Sequence, residues 1–444
     1  MSYKAKPIDK ITIPFNRIIH HEKAGGIVLF LSVFIALLLA NSPLKEEYHQ
    51  FFENTFFAFN INGTNFLQYS LHEWINDGLM AIFFFVIGLE LKKEIVSGEL
   101  SKPKKAVLPI AAAIGGMIVP AAIYLSLNNS IDTHSGWGIP MATDIAFALG
   151  ALMFLGNRVP VSLKVFLLAL AIVDDLGAVL VIAFFYSSDI SVFNLLVGFS
   201  FFAFMAIGNR LGVRNVFFYA ILGIFGLWSS FLLSGVHATI GAVLAAFAIP
   251  ADVAIKEHDY VDKIQQKLKE FLAIDPDNKV PTLKEEQLEI LESIESITFM
   301  AMTPLQKLVK VLHPFVTFIV LPVFAIANAG VTLDFEFETL FSNHIALGIG
   351  LGLIFGKLIG IVGFTMILVK LGVGTLPDGM NLKNLIGLSL LASIGFTMSI
   401  FVASLAFSNP LFITQAKLGI FVASLIGGLA GYTYLFIISK KSNT

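Results

Sequence analysis

Long apolar runs broken by short polar segments dominate this sequence. Most of these runs approach the roughly 20 residues that an α-helix needs to cross the hydrocarbon core of a membrane. The pattern therefore predicts an all-α polytopic membrane protein with about 12 transmembrane helices. The expected spans are 24–41, 73–91, 105–127, 137–156, 161–186, 192–209, 214–232, 235–250, 315–331, 345–370, 384–407 and 411–438.

Polar segments divide this predicted bundle. Residues 1–23 precede spans one to eight at 24–250, and spans nine to twelve at 313–438 precede a tail at 439–444. Residues 251–312, called here the insert, lie between these two blocks of spans. Its first 47 residues hold twelve acidic residues and six lysines, a net charge of -6. Apolar residues at near-helical spacing predict an amphipathic helix there, and an Asp-Pro-Asp-Asn sequence predicts a turn between two such helices.

A second polar segment, at 54–69, is predicted to lie on the outer face as a β-hairpin. Two strand-like runs flank Asn62-Gly63, a dipeptide that favours a type I′ turn. The residues leave two interpretations open, an ordinary ordered loop and a role in assembly.

Lysine and arginine residues gather in alternate loops, and the loops on the opposite side hold only Lys45. By the positive-inside rule both termini are cytoplasmic, which agrees with an even number of spans. The basic residues are Lys4, Lys6, Lys10, Arg17, Lys92, Lys93, Lys102, Lys104, Lys105, Arg158, Lys164, Arg210, Arg214, Lys370, Lys383, Lys440 and Lys441.

Composition supports the membrane assignment, because 56% of the residues are hydrophobic and only 14% are charged, against about 25% charged in soluble domains. The chain has no cysteine, which excludes disulfides, thiolate catalysis and cysteine metal sites. The N-terminus has no apolar core before residue 27 and is not expected to be a cleavable signal peptide.

Spans four and eleven are each predicted to be interrupted. Each is the middle helix of a three-span group, and the two groups begin on opposite sides of the membrane. This predicts two inverted three-helix repeats with two broken, crossing helices and a binding site near the midplane. The interrupting residues are Gly136, Gly138, Pro140, Thr143 and Asp144 in span four, and Ser393, Gly395, Thr397 and Ser399 in span eleven.

Four charged residues interrupt the apolar runs themselves: Asp144, Asp174, Asp175 and Lys357. A charge in hydrocarbon costs roughly 2.5–3.5 kcal/mol even on lenient scales, so such residues usually mark an ion or proton path. Asp144 is expected to offset the facing N-termini of the broken helices, and Lys357 their C-termini. The alternative is that Asp144 is a buried N-cap and that Lys357 is a structural counter-ion.

Asp174 and Asp175 project about 100° apart on a helix, so one can face the cavity while the other faces Lys357. Together with Thr143, they offer hard oxygen ligands suited to Na⁺ or Li⁺. A carboxylate that binds either a proton or a cation is the chemical requirement of an antiporter. Asp77, Glu90, Glu94 and His237 give weaker indications of function. Asp77 and Glu90 are also explained as residues at the mouth of the bundle, Glu94 as part of a solvated charged face, and His237 as a packed histidine.

Several motifs resemble the NhaA family of bacterial Na⁺/H⁺ antiporters, and the resemblance covers nearly the whole chain outside the termini and 251–308. They include WINDGLMAIFFFVIGLELKKE, AAAIGGMIVPA, GWGIPMATDIAFALG, ALAIVDDLGAV, SGVHAT, PVFAIANAGV and SIGFTMSIFVASLAF.

The resemblance implies that Asp175 is the main cation-binding carboxylate, that Asp174 pairs with Lys357, and that Asp144 and Thr143 lie on the broken fourth helix. It also implies that Glu90, Glu94 and His237 belong to a cytoplasmic funnel that responds to pH. Electrogenic exchange and a homodimer formed through the outer hairpin are implied as well. This sequence departs from the family at Val309, where an acidic residue is frequent, and in the length of its insert.

The predicted function is an inner-membrane Na⁺(Li⁺)/H⁺ antiporter that exports Na⁺, with membrane lipid around it. No cofactor, resident metal, catalytic residue or nucleic-acid partner is expected. Two alternatives are a Na⁺-coupled organic solute symporter, which needs additional solute-recognising groups, and an intramembrane aspartyl protease. Against the protease, Asp174 and Asp175 are adjacent, and hydrolysis does not require Lys357.

Overall fold

The computed structural model describes residues 22–61, 64–187, 190–274, 282–332 and 343–439. The predicted turns at Asn62-Gly63 and 275–278, the basic residues before residue 22, and Lys440 and Lys441 lie outside these ranges. Within them, helices dominate, and the helix bounds are α1 Glu22–Ala40, α2 Lys45–Asn54, α3 Met80–Ser97, α4 Pro103–Leu127, α5 Ile145–Phe154, α6 Val161–Phe185, α7 Val192–Arg210, α8 Val216–Leu232, α9 Ala238–Ala248, α10 Glu257–Ile274, α11 Glu285–Ala301, α12 Pro304–Asn328, α13 His344–Lys370, α14 Leu382–Leu391, α15 Phe396–Ala406 and α16 Pro410–Ile438.

Seven of the described helices are long and apolar enough to cross a membrane, and the number rises to nine if two bent pairs each count as one span. The chain is therefore an all-α polytopic membrane protein. Short polar side chains begin many of these helices by accepting hydrogen bonds from backbone N–H groups in the first turn. The capping residues of this kind include Ser191, Asn215, Asn343, Asn381 and Asn409.

The predicted hairpin is confirmed. Strands β1 (Phe56–Ile61) and β2 (Thr64–Ser70) pair antiparallel, with a register shift between Phe57 and Phe59. Helix α2 lies between α1 and the hairpin, and the chain bends by 111° between α1 and α2. Helix α2 has no counterpart in the sequence prediction. Its sequence, KEEYHQFFEN, is mostly polar and therefore resembles a loop. The Tyr48 hydroxyl on α2 donates a hydrogen bond to the Ile326 carbonyl and so fixes the helix against α12.

The insert contains two helices, α10 and α11, called here the insert hairpin. The amphipathic helix predicted from the spacing of apolar residues is confirmed as α11. The helix that contains predicted span nine begins before the expected boundary between residues 312 and 313. Helix α12 already begins at Pro304, because Thr303 caps it together with Gln306 in a capping box. The lysines in the first turns of α12 make this start look like part of the polar segment.

The two ends of the insert hairpin lie side by side. The backbone N–H of Ala254 donates to the Met300 carbonyl at 3.1 Å, and that of Leu305 donates to the Pro250 carbonyl at 3.2 Å. The chain therefore leaves and re-enters the membrane bundle at almost the same point.

Glycine allows the closest helix contact around the buried charges, between α4 and α13. A side-chain carbon built on Gly115 would overlap the Gly360 carbonyl oxygen, and one built on Gly360 would overlap the Gly115 carbonyl oxygen. Without side chains at these positions the two backbones approach directly, as small residues permit in membrane helix packing. This contact fixes α13, the helix that carries Lys357.

Candidate functional site

Two interrupted helices cross at their breaks. In the first, a 3-10 helix over Ser135–Met141 ends before α5 begins. In the second, α14 ends before α15 begins. The backbone N–H of Asp144 donates to the Ile394 carbonyl at 2.7 Å, and the Thr143 hydroxyl donates to the Ala392 carbonyl at 2.9 Å. Several backbone groups freed by the breaks are thus satisfied by the other broken helix, and the Phe396 N–H donates instead to the Ser424 hydroxyl of α16. The predicted breaks in spans four and eleven are confirmed.

Asp144 caps both broken helices. Its Oδ1 accepts from the Phe147 backbone N–H at 3.2 Å, at the start of α5. Its Oδ2 accepts from the Thr397 backbone N–H at 3.0 Å and from the Thr397 hydroxyl, at the start of α15. A carboxylate between two helix N-termini is favoured by their partial positive charges. The contact expected between Asp144 and the facing N-termini is therefore present, and Asp144 is also an N-cap.

Asp174 and Lys357 form a buried ion pair. The Lys357 Nζ lies 2.5 Å from the Asp174 Oδ2, and each side chain is only 1% exposed. A π-helical turn, Gly352–Gly356, immediately precedes Lys357 on α13, and the lysine stem packs beside Gly116 of α4. Within the described ranges, the lysine Nζ donates a hydrogen bond to Asp174 alone. The expectation that Lys357 offsets the C-termini of the broken helices is therefore not met by a direct hydrogen bond.

Asp175 is completely buried, and neither of its carboxyl oxygens has a hydrogen-bond partner among the described residues. The Oδ1 of Asp174 is also unpartnered there. Buried carboxyl oxygens are rarely left in this state, since an uncompensated polar group in a low-dielectric interior is costly. The arrangement therefore calls for a proton or a cation at Asp175.

The electrostatic surroundings of Asp175 favour a positive ion. Asp174, Asp144 and Lys357 all lie close enough to interact with it by charge, and Glu90 adds a further acidic group. Three fully buried acids thus share one buried lysine, an excess of negative charge. Oxygen donors around such a centre suit a hard monovalent cation. Among the described residues, no cluster of three or more acids and histidines has the arrangement of a resident metal site.

Glu90, Lys92 and Glu94 gather near one end of α3. The Glu90 carboxylate lies 3.8 Å from the His313 Nε2 on α12. Lys92 donates to the carbonyls of Phe247, at 2.6 Å, and Ile249, at the C-terminus of α9, where a cation is favoured. Glu94 accepts from the Glu99 backbone N–H at 3.0 Å. No pattern in the sequence indicates that His313 faces Glu90.

His237 does not join this group. It is the N-cap residue of α9, and its Nε2 lies 3.1 Å from the Tyr186 carbonyl at the end of α6. Lys92 contacts the opposite end of α9, about 17 Å away at 1.5 Å per residue. The structure therefore does not bring His237 together with Glu90 and Glu94. The break before α9 places His237 at the start of that helix. Asp77 lies in a π-helical stretch, Trp74–Leu79, that precedes the start of α3, whereas Glu94 lies near the end of α3.

A polar network that sequence reasoning missed links the base of the β-hairpin to α12. The Oδ1 of Asn328, which is 1% exposed, lies 3.0 Å from the His72 Nε2, and its Nδ2 donates to the Asn76 Oδ1 at 2.9 Å. The only signal in the sequence is a single asparagine inside an apolar run. A neutral side chain of this kind costs less in a helix than a charge, so it attracts less notice.

Comparison with known proteins gives one consistent result. The family model described as Na⁺/H⁺ antiporter 1 matches residues 16–435. The Na(+)/H(+) antiporter NhaA of Oleidesulfovibrio alaskensis is 48% identical over 98% of this chain and 96% of its own length. Na(+)/H(+) antiporter NhaA 1 of Saccharophagus degradans is 47% identical over 97% and 92%, and NhaA of Sulfurimonas denitrificans is 44% identical over 99% and 98%.

Proposed function

Because this chain belongs to the Na⁺/H⁺ antiporter 1 family, a family of transporters and not of enzymes, and exchanges Na⁺ for protons, we propose that it is an electrogenic exporter of Na⁺ that also accepts Li⁺. Its proposed location is the bacterial inner membrane, with both termini cytoplasmic. In this role it serves sodium and pH homeostasis.

The unpartnered oxygens of fully buried Asp175 carry the assignment of the transport site. One carboxylate of this kind binds either a cation or a proton, because both neutralise the same charge. Loading Na⁺ at Asp175 therefore requires the departure of a proton, and protonation expels Na⁺. This competition at a single residue couples the two ion movements without any covalent step.

The Asp174–Lys357 pair supplies the proposed second proton. Asp174 and Asp175 are neighbours on α6, so a cation at Asp175 changes the charge that Lys357 and Asp174 share. Because like charges repel, a cation held beside this pair favours the loss of the proton that the pair carries. More than one proton then moves for each Na⁺, and the transport cycle carries net charge. The membrane potential consequently drives Na⁺ out of the cell.

Thr143 and Asp144 are proposed to complete the cation site from the broken helix. Asp144 is held between two helix N-termini, and Thr143 is held by the Ala392 carbonyl, so both are fixed at the crossing of the two broken helices. Carboxylate and hydroxyl oxygens do not distinguish sharply between Na⁺ and Li⁺, since both are hard cations.

The crossing of the two broken helices supports a bundle of twelve spans with inverted repeats, α4 to α6 and α13 to α16. In this arrangement Glu90 and Glu94 lie at the cytoplasmic mouth, while Asp77 and His237 lie toward the outer face. The β-hairpin is proposed as the contact between two protomers, because it presents Phe56 and Phe57 on its surface with more than half of each side chain exposed.

Everted membrane vesicles test the transport proposal. A pH gradient formed by respiration should collapse when Na⁺ or Li⁺ is added, and it should persist when K⁺ is added, as reported by dequenching of a ΔpH-sensitive dye. Vesicles from cells that lack the protein are the control. Raising the membrane potential should accelerate exchange if the cycle is electrogenic, and an unchanged rate would contradict that part of the proposal.

Replacing residues 256–297 with a short Gly/Ser linker should leave the maximal exchange rate largely intact. The hydrogen bond between Ala254 and Met300 already holds the two ends of the segment together, so a short linker closes the gap without strain. The pH of half-maximal exchange should shift, because the replacement removes eleven of the twelve acidic residues between 251 and 297, which concentrate cations near the mouth.

That pH shift should shrink as ionic strength rises, since exposed charges are screened beyond about 10 Å at 0.1 M salt. Loss of transport in a variant shown to be folded and inserted would contradict the expectation and make the segment part of the transport machinery.

A further inference from the structure

The insert hairpin exposes an apolar stripe that no described part of the chain covers. Its two helices contact each other through one face, where the Tyr260 hydroxyl lies 3.3 Å from the Thr298 hydroxyl. A different face of α10 carries Val261, Leu268 and Leu272, at spacings of seven and four residues, with exposures of 48%, 49% and 68%. We call these three residues the α10 stripe.

Charge narrows the choice of partner for the α10 stripe. Leu288 and Leu291 on α11 are also exposed, and glutamates interrupt the sequence around them. Helix α11 has five glutamates and no lysine, whereas α10 has four acidic residues and three lysines, so the negative charge beside the stripe comes mainly from α11. This charge repels the anionic surface of a membrane. A segment that covers the stripe should therefore be both apolar and basic.

Residues 1–21 of the same chain have this composition. Four basic residues against one aspartate give the segment a net charge of +3 with neutral histidines. The apolar residues of the segment are Ile8, Ile11, Ile13, Phe15, Ile18 and Ile19, and its basic residues are Lys4, Lys6, Lys10 and Arg17. Apolar contact and charge attraction would thus act together on the insert hairpin.

The start of α1 lies within reach of the insert hairpin. Gly25 packs against Thr317 of α12 so closely that a side-chain carbon at Gly25 would overlap the threonine methyl group. Thr317 is about 20 Å along α12 from Pro304, at 1.5 Å per residue, and Pro304 follows the end of α11 by three residues. Leu268 lies eleven residues, or about 17 Å, further along α10 from Glu257. A chain of 21 residues spans up to roughly 70 Å when extended, so it can cross both distances.

From these observations we propose that residues 1–21 dock on the α10 stripe of their own chain, with the basic residues facing the glutamates of the neighbouring helix α11. The contact joins the polar segment that precedes α1 to the insert hairpin, which precedes α12. It also covers apolar surface that water would otherwise meet. It is independent of the transport mechanism, because none of its residues belongs to the ion site.

Introduced cysteines test this contact directly, because the full chain has no cysteine of its own. The test pair is Ile8→Cys with Leu268→Cys, because Ile8 is fourteen residues from the start of α1 and can reach Leu268. The matched control is Ile8→Cys with Gln266→Cys, which is exposed on α10 but projects about 160° away from Leu268 around the helix. Under mild oxidation of protein in vesicles, the test pair should form an intramolecular disulfide at least ten times faster than the control pair.

High salt should slow formation of this disulfide by weakening the charge attraction. In a chain with Leu268→Cys alone, deletion of residues 2–15 should increase maleimide labelling several-fold. Exchange activity in each variant serves as the control for folding. Equal rates for the two pairs, or labelling unchanged by the deletion, would overturn the proposal. Disulfides formed only between two chains would also overturn it and assign the stripe to a second copy.

Discussion

Replacement of Asp175 by asparagine is expected to abolish Na⁺- and Li⁺-driven proton movement while leaving the protein folded. Asparagine has nearly the same shape as aspartate but can neither titrate nor neutralise a cation. Its amide also removes a negative charge from a site shared with Asp174 and Asp144. The variant should therefore fold at least as well as the parent protein, since an unpaired buried charge is destabilising.

The measurement is dequenching in everted vesicles over a range of Na⁺ concentrations, with equal amounts of protein confirmed in the membrane. Asp132→Asn is the matched control, because Asp132 is an exposed aspartate outside the buried cluster. We expect at least a hundredfold loss for Asp175→Asn and normal exchange for Asp132→Asn. Near-normal exchange by Asp175→Asn at saturating Na⁺ would refute the assignment of the cation site.

Replacement of Lys357 by alanine should sharply lower thermal stability. The substitution leaves Asp174 buried without its ion-pair partner, and breaking a buried pair typically costs roughly 3–5 kcal/mol. It also removes the lysine stem that packs beside Gly116. Adding Asp174→Asn should recover part of the loss, because the stranded charge is then gone, whereas the packing defect remains.

A double-mutant cycle on the purified protein separates these two effects. Melting temperatures of the parent, both single variants and the double variant give the coupling between the two side chains. We expect a coupling above about 1 kcal/mol for groups 2.5 Å apart. Strictly additive effects of the two substitutions would be incompatible with direct pairing. The control is Gly116→Ala, which changes the packing around the lysine without a change of charge.

The sequence identified the buried charges because a charge inside an apolar run is conspicuous. Asp144, Asp174, Asp175 and Lys357 stand out for this reason, and the structure brings three of the four into named contacts. Gly and Pro residues likewise indicated the break in span four, since they interrupt helical periodicity.

Other features depend on three-dimensional position and have no local signal. Asp144 caps two helices, and its contact with Thr397 joins residues that are 253 positions apart in the chain. His237 was grouped with Glu90 because resemblance gives residue identities without their depth in the membrane. The early start of α12 was missed because amphipathic first turns resemble the polar insert that precedes them.

The hydrogen bonds at the crossing have a mechanical consequence. Asp144 donates to one broken helix through its backbone and accepts from it through its side chain, and the Ser399 hydroxyl donates to the Ile139 carbonyl at 2.9 Å. Links at both sides of each break prevent the two helices from separating or sliding independently. The crossing should therefore move as one rigid piece, and its parts should keep their mutual distances whichever side of the membrane the ion site faces.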